Sequence, residues 1–292
     1  MKKEKVYFTS VLEPQSLVRL YEKLEVKLPG NIAVKLHSGE EGNQNYLKPD
    51  FVKEIINYVK GTVVECNTAY VGQRDTTEKH EKLLEKHGWS KYFPVDILDK
   101  DKELILHNEN GAIIKKNIVG KNIEKYDSML MLSHFRGHPM GGYGGALKNM
   151  SIGLASSRGK GYIHTNGNEN AKYEDLFTAD HDSFLISMAD ACKTITDYYK
   201  ENIVYINVMV NMSVDCDCCA KAKDPCMKDI GILASTDPVA LDQACIDLVY
   251  NSTDPGKDTL IERIESRNGL LTIEAAEKQQ VGTREYELIN ID

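Results

Sequence analysis

The amino-acid sequence predicts an α/β protein: largely parallel sheets with flanking helices, arranged as two lobes around a cleft. Short apolar runs of strand length alternate with segments of helical spacing, the pattern of parallel strands joined by crossover helices. Three of the runs end on His37, Asn67 and His134, and open α/β sheets bind ligands beyond the carboxyl ends of their strands. The 292 residues, 41% hydrophobic and 27% charged, suffice for one large unit or two modest domains. A first lobe is expected over residues 1–120 and a second over 121–292, with the last strand able to return to the first.

"KVYFTS" reads as a strand and "PQSLVRLYEKLEV" as a helix with Leu17, Leu20 and Leu24 on one side. "NIAVKLH" is a buried strand, and "KPDFVKEIINYVK" is a helix whose Pro49 and Asp50 suit a first turn. "GTVVECN" is the next strand, followed by the helix "TTEKHEKLLEKHGW", which runs to Gly88. The β-rich patch "VDIL", "ELILHN" and "GAIIKK" has "NENG" as its turn. "DSMLMLSH" is a core strand delivering His134, and "GALKNMSIGLAS" starts a helix. Residues 156–172, polar and glycine-rich, are expected to be a loop. A long helix is expected across 174–200, then strands "NIVYINVMV" and "DIGILAS" and the helix "DPVALDQACIDLVY". Two short helices and the strand "EYELINI" finish the chain.

A net charge of −8 argues against non-specific nucleic-acid binding, which needs a basic surface. No run approaches the roughly 18 apolar residues of a membrane span, and "MKKEKVYFTS" has no apolar core of a signal peptide. A cytoplasmic protein without nucleic-acid or membrane partners is expected. Of seven cysteines, Cys216, Cys218, Cys219 and Cys226 crowd into eleven residues. A reducing cytosol argues against structural disulfides, so the cluster points to metal or redox chemistry. Thiolates suit zinc or an iron–sulfur cluster, although the spacing matches neither a zinc ribbon nor a ferredoxin run. Reactive thiols without metal are the alternative. Cys66, Cys192 and Cys245 read as small core residues.

"SHFRGHPMGGYGGALKN", residues 133–149, holds the densest chemistry. Gly144 and Gly145 allow close backbone approach, the following helix aims N–H groups at an anion, and Lys148 adds a charge. His134 and His138 stand beside them. The plainer reading is a tight strand-to-helix turn with solvated charges. Arg74, just before a helix, is placed to clamp a carboxylate or phosphate. His37 joins this ligand-binding set, and His107, His138 and His164 are the candidates for proton transfer near neutral pH.

Together "VKLHSGEEGN", "NTAYVGQRDTTEKHEKLLEKHGW", "LSHFRGHPMGGYGGALKNMSIGLAS", "CDC" and "DIGILASTDPVALDQACIDLV" resemble the domain-of-unknown-function 362 family, described as iron–sulfur-centre proteins. The resemblance implies a cluster of the 4Fe-4S kind, with Cys216 and Cys218 matching the family's Cys-Asp-Cys; the ferredoxin module of some relatives is absent. The order Arg74, His107, His138, Lys148, His164 is similar to that of the nickel-pincer lactate racemase family. That likeness implies a cofactor-bearing lysine, a nickel-ligating histidine and two acid–base histidines, though Gly-Gly-Ala-Leu-Lys replaces the family's Gly-Gly-x-Lys. Three functions therefore stand open: a cytoplasmic metal-binding, iron–sulfur protein whose His/Lys/Arg cleft takes a small anionic substrate; a non-catalytic metal-binding or electron-transfer module serving a redox partner protein; and a lactate-racemase-like isomerase.

Overall fold

The computed structural model describes residues 3–292. The chain begins with strand β1 (Glu4–Thr9), helix α1 (Pro14–Lys23), β2 (Ile32–Lys35), α2 (Pro49–Val59) and β3 (Thr62–Glu65). Pro14 and Pro49 sit in first helical turns, where the missing N–H leaves no bond unmade. Next come α3 (Thr77–Lys86), α4 (Trp89–Tyr92), β4 (Val95–Ile97), and the hairpin of β5 (Glu103–His107) with β6 (Lys116–Gly120). β7 (Ser128–His134) leads into a two-stranded ribbon, β8 (Arg136–His138) and β9 (Gly142–Gly144). α5 (Ala146–Leu154), α6 (Ser157–His164) and α7 (His181–Tyr199) follow, then β10 (Ile203–Met209) and β11 (Gly231–Ser235). α8 (Pro238–Tyr250), α9 (Lys257–Ser266), α10 (Leu270–Lys278) and β12 (Tyr286–Asn290) complete the chain.

Among the described residues, eight strands form one sheet in the order β12-β1-β11-β10-β7-β2-β3-β4. Only β11 runs antiparallel to its neighbours, β1 and β10. Strands from 1–120 and from 121–292 are thus interleaved in a single sheet. Both faces are covered, as a mostly parallel sheet requires. In β7, Met129 and Met131 join the core under α5, α7 and α8, while Leu130 and Leu132 join the opposite core with Leu17 and Leu20 of α1 and Ile55 of α2. Strand alternation alone produces this division.

Three local expectations change. The "GAIIKK" strand does not form over 111–115, because the Asp190 carboxylate accepts the backbone N–H groups of Ala112, Ile113 and Ile114; β5 pairs with 116–120 instead. The polar stretch 156–172 contains α6, whose N-cap Ser156 accepts the Gly159 N–H. Its glycines read as loop signals, but a side chain at Gly159 would overlap the Ile118 carbonyl. The helix expected over 174–200 is divided into a 3₁₀ turn, Tyr173–Phe177, and α7, which starts where Asp180 caps the Ser183 N–H.

Candidate active site

A cavity of about 470 Å³ lies beyond the carboxyl ends of β2, β3 and β7, lined also by α5 and α6. His37, Arg74, His134, His138, Lys148 and His164 all line it. Its floor is a buried ionic network. Lys35 Nζ donates to Glu65 Oε2 at 2.7 Å and to the Leu36 carbonyl, while Glu65 Oε1 accepts from the Ser38 N–H at 2.8 Å. Arg74 Nε donates to Glu40 Oε2 at 3.1 Å, and its Nη2 donates to the Tyr70 hydroxyl. Burial alone would raise Glu65, but Lys35, His80 and Arg74 outweigh it and hold the carboxyl at about 2. Arg74 is therefore at the site but already paired.

His134 does reach the end of β7, yet it serves the frame. Its Nδ1 faces Asp217 at 2.9 Å and its Nε2 faces the Val210 carbonyl at 2.6 Å. Arg136 Nη2 approaches the same carboxylate at 3.3 Å. Burial would raise Asp217; the charges of Arg136 and His134 bring it down to about 2. Arg136 is 4% exposed, lines the cavity, and keeps one buried nitrogen, Nε, without a partner.

Lys148 differs from these cations. Among the described residues no carboxylate pairs with it. Burial first, then the charges of Arg136, Arg74 and Lys35, lower its ammonium to about 7, although it keeps solvent access through the cavity. The three histidines around it are held neutral. His37 and His138 lie well below the ordinary imidazole value through burial and nearby cations, and burial takes His164 to about 4. Backbone groups fix their tautomers. His37 Nδ1 accepts from the Gly39 N–H, and His138 Nδ1 accepts from Met140 and Gly141, so each carries its proton on Nε2. His164 Nδ1 instead donates to the Lys160 carbonyl at 2.7 Å, which leaves Nε2 as an acceptor. The cavity is thus lined by two imidazole rings with a donor at Nε2, one with an acceptor there, and a lysine that titrates near neutrality.

Other expected site residues fall elsewhere. His107 is exposed at the end of β5, because Leu104 and Leu106 take the inward face and alternation turns His107 out. The α5 N-terminus is not an open anion cradle: the Asp242 carboxylate accepts the Ala146 and Leu147 N–H groups at 2.8 and 3.0 Å. A side chain at Gly145 would overlap that carboxylate, and one at Gly144 would overlap the Arg136 guanidinium. Both glycines are required by packing around the site, and Gly145 alone of the two lines the cavity.

The four clustered cysteines do not act as one group. Cys216 and Cys218 are joined by a disulfide, against the expectation of free thiols; one intervening residue keeps their Cα atoms 5.3 Å apart. Cys218 lines the cavity, with Sγ 3.9 Å from His138 Nε2. His138, Cys216 and Cys218 form a group that could hold a metal ion, their donor atoms lying within 4.8 Å of one another. Cys219 and Cys226 lie outside it, and the Cys226 thiol donates to the Met212 carbonyl. Cys66, Cys192 and Cys245 are buried, as read from their apolar surroundings.

The sequence reading passed over Lys35, Glu65, Arg136, Lys160 and Asp217. The signal was present for two of them: a lysine inside "IAVKL" and a glutamate inside "TVVEC" are charges in otherwise apolar strands, and such charges are buried only when paired.

Residues 32–247 match the family described as "Domain of unknown function (DUF362)", and the chain belongs to that family. No curated protein matches the sequence. Among solved structures, the lactate racemase apoprotein from Thermoanaerobacterium thermosaccharolyticum is similar, with 12% identity and a TM-score of 0.48 over 85% of this chain. A Thermotoga maritima protein is similar with 11% identity and a TM-score of 0.44 over 91%. This chain spans 58% of the length of each. No helix of the described residues is long and apolar enough to cross a membrane.

Proposed function

We propose that the protein is an enzyme that binds a small organic anion in this cavity and moves a proton on it, with Lys148 as both anchor and proton carrier. Lys148 itself is the observation that carries the reading: it opens on the cavity without a carboxylate, whereas Lys35, Arg74 and Arg136 already have one and Lys160 is taken up by the Ala155 carbonyl. An amine poised at about 7 both takes and gives a proton at neutral pH. His164 Nε2 supplies an acceptor at the same cavity, and His37 Nε2–H a donor. A carboxylate suits the site better than a phosphate, because Asp242 already occupies the N–H groups of α5 that would cradle one.

A bound anion favours the ammonium form of Lys148, so affinity should be full below pH 7 and fall as pH rises through it. Butyrate binding, measured by titration calorimetry at pH 6 and pH 8, tests this. Wild type should bind more weakly at pH 8. Lys148→Met should lose roughly tenfold or more at pH 6, as expected for a charge-assisted hydrogen bond, and should lose the pH dependence. Equal affinity in both proteins at pH 6 refutes the reading.

A second reading, a metal centre, is favoured by the convergence of His138, Cys216 and Cys218. Two sulfurs and an imidazole fit a single ion such as zinc or nickel better than an iron–sulfur cluster, which takes four thiolates. Binding would require the Cys216–Cys218 disulfide to be reduced and the His138 proton to leave Nε2. Such an ion would supply Lewis acidity at the cavity wall. Elemental analysis of anaerobically reduced protein checks it: about one equivalent of metal, lost in Cys216→Ser/Cys218→Ser, is the expected result, and metal-free reduced protein counts against it.

A further inference from the structure

The cavity is larger than an anionic head requires. At about 470 Å³ it lies in the roughly 300–1,000 Å³ range of sites that enclose drug-sized ligands, far beyond a two- or three-carbon acid. Its lining is also graded. The ionic groups are deep: Lys35 is 1% exposed, Arg74 3% and Arg136 4%. One part of the wall is apolar, from buried Ile152 and Leu176 to Tyr173 and Phe177, which are 49% and 62% exposed. Tyr173 and Phe177 meet edge to face at 5.3 Å on the 3₁₀ turn that borders the cavity. Together the two rings extend the apolar part of the lining out to the surface, as a contiguous patch at the edge of a binding site does.

We propose that the ligand is amphipathic: a monocarboxylate whose head meets Lys148 and whose apolar tail passes Ile152 and Leu176 toward Tyr173 and Phe177. A tail of roughly five to eight carbons, or a phenyl ring on a short chain, belongs to the size class this volume holds. The proposal rests on the anion-binding reading given above and adds the tail.

The test is a chain-length series, acetate, butyrate, hexanoate and octanoate, with 1-hexanol as the uncharged control. Binding is measured at pH 6 by calorimetry, or by NMR for the weakest acids. In wild type, affinity should rise about three- to fourfold per methylene until the tail fills the wall, and 1-hexanol should bind at least tenfold more weakly than hexanoate. Tyr173→Ser/Phe177→Ser, at exposed positions that leave the fold intact, should flatten the gain for octanoate and leave acetate unchanged. Lys148→Met should weaken every acid by the same factor. A flat series in which Lys148→Met still weakens each acid overturns the tail proposal and leaves the anion reading standing. Hexanol binding as tightly as hexanoate overturns it as well, since the wall would then act without the head. Failure of all four acids to bind removes the anion reading and this inference together.

Discussion

Lys35, Arg74 and Arg136 at the cavity are held by buried carboxylates, and Lys148 is not; that difference sets what each side chain can do. The Lys35–Glu65 pair, with side chains 1% and 4% exposed, is separated from water. Removing one partner leaves an uncompensated charge, so Glu65→Gln should destabilise the protein by roughly 3–5 kcal/mol, read from chemical denaturation at pH 7. The pH dependence follows from the same group. Its folded value, about 2, is below the ordinary 4.5. The stabilisation it provides is therefore complete above pH 4.5 and is lost as pH falls from there toward 2. A glutamine variant whose stability curve keeps the wild-type slope between pH 4.5 and 2 would show that Glu65 is not the group responsible. At this scale the sequence was informative about residue type and silent about partners. His37, His138, Lys148 and His164 were legible as chemistry and do line one cavity. The occupation of His134 by Asp217 was not legible, because the two lie 83 positions apart and nothing local ties them.

Hydrophobic period identified most strands and helices, since burial on one or two faces writes itself into spacing. It missed the places where a carboxylate from elsewhere satisfies a run of backbone N–H groups. Asp242 does this at the start of α5, which closes the anion site the glycines suggested. Asp190, 0% exposed on α7, does it for Ala112, Ile113 and Ile114. This second contact decides where the β5–β6 hairpin turns. Asp190→Ala would orphan three N–H donors that now bond to a charged acceptor, and should cost about 3–5 kcal/mol. Hydrogen exchange locates the effect: faster exchange should concentrate at 111–120, and uniform acceleration across the sheet would instead mean a global loss of stability unrelated to the hairpin. The β8–β9 ribbon was missed for a different reason. Its strands have three residues each, too short for alternation to register, and four of the six are Arg136, Gly137, Gly142 and Gly144, which carry no strand signal.

For the whole molecule, strand order has the largest consequence. β1 and β2 are near in sequence but separated in the sheet by β11, β10 and β7. The stretch 1–120 therefore holds two sheet fragments with no contact through hydrogen-bonded strands until 121–292 fills the space between them. The cavity depends on the same arrangement, since Lys35 and Glu65 come from one stretch and His134 and Lys148 from the other. Interleaving of this kind couples the two stretches energetically, and folding should be shared. Trp89, the sole tryptophan, is fully buried in the first stretch, so its fluorescence reports that stretch while far-ultraviolet circular dichroism reports all helices. In urea the two signals should change with coincident midpoints. Isolated 1–120 should show neither the native Trp89 emission nor a cooperative transition. Separated midpoints, with native emission retained by the fragment, would establish two lobes that fold on their own and assemble the cavity only afterwards.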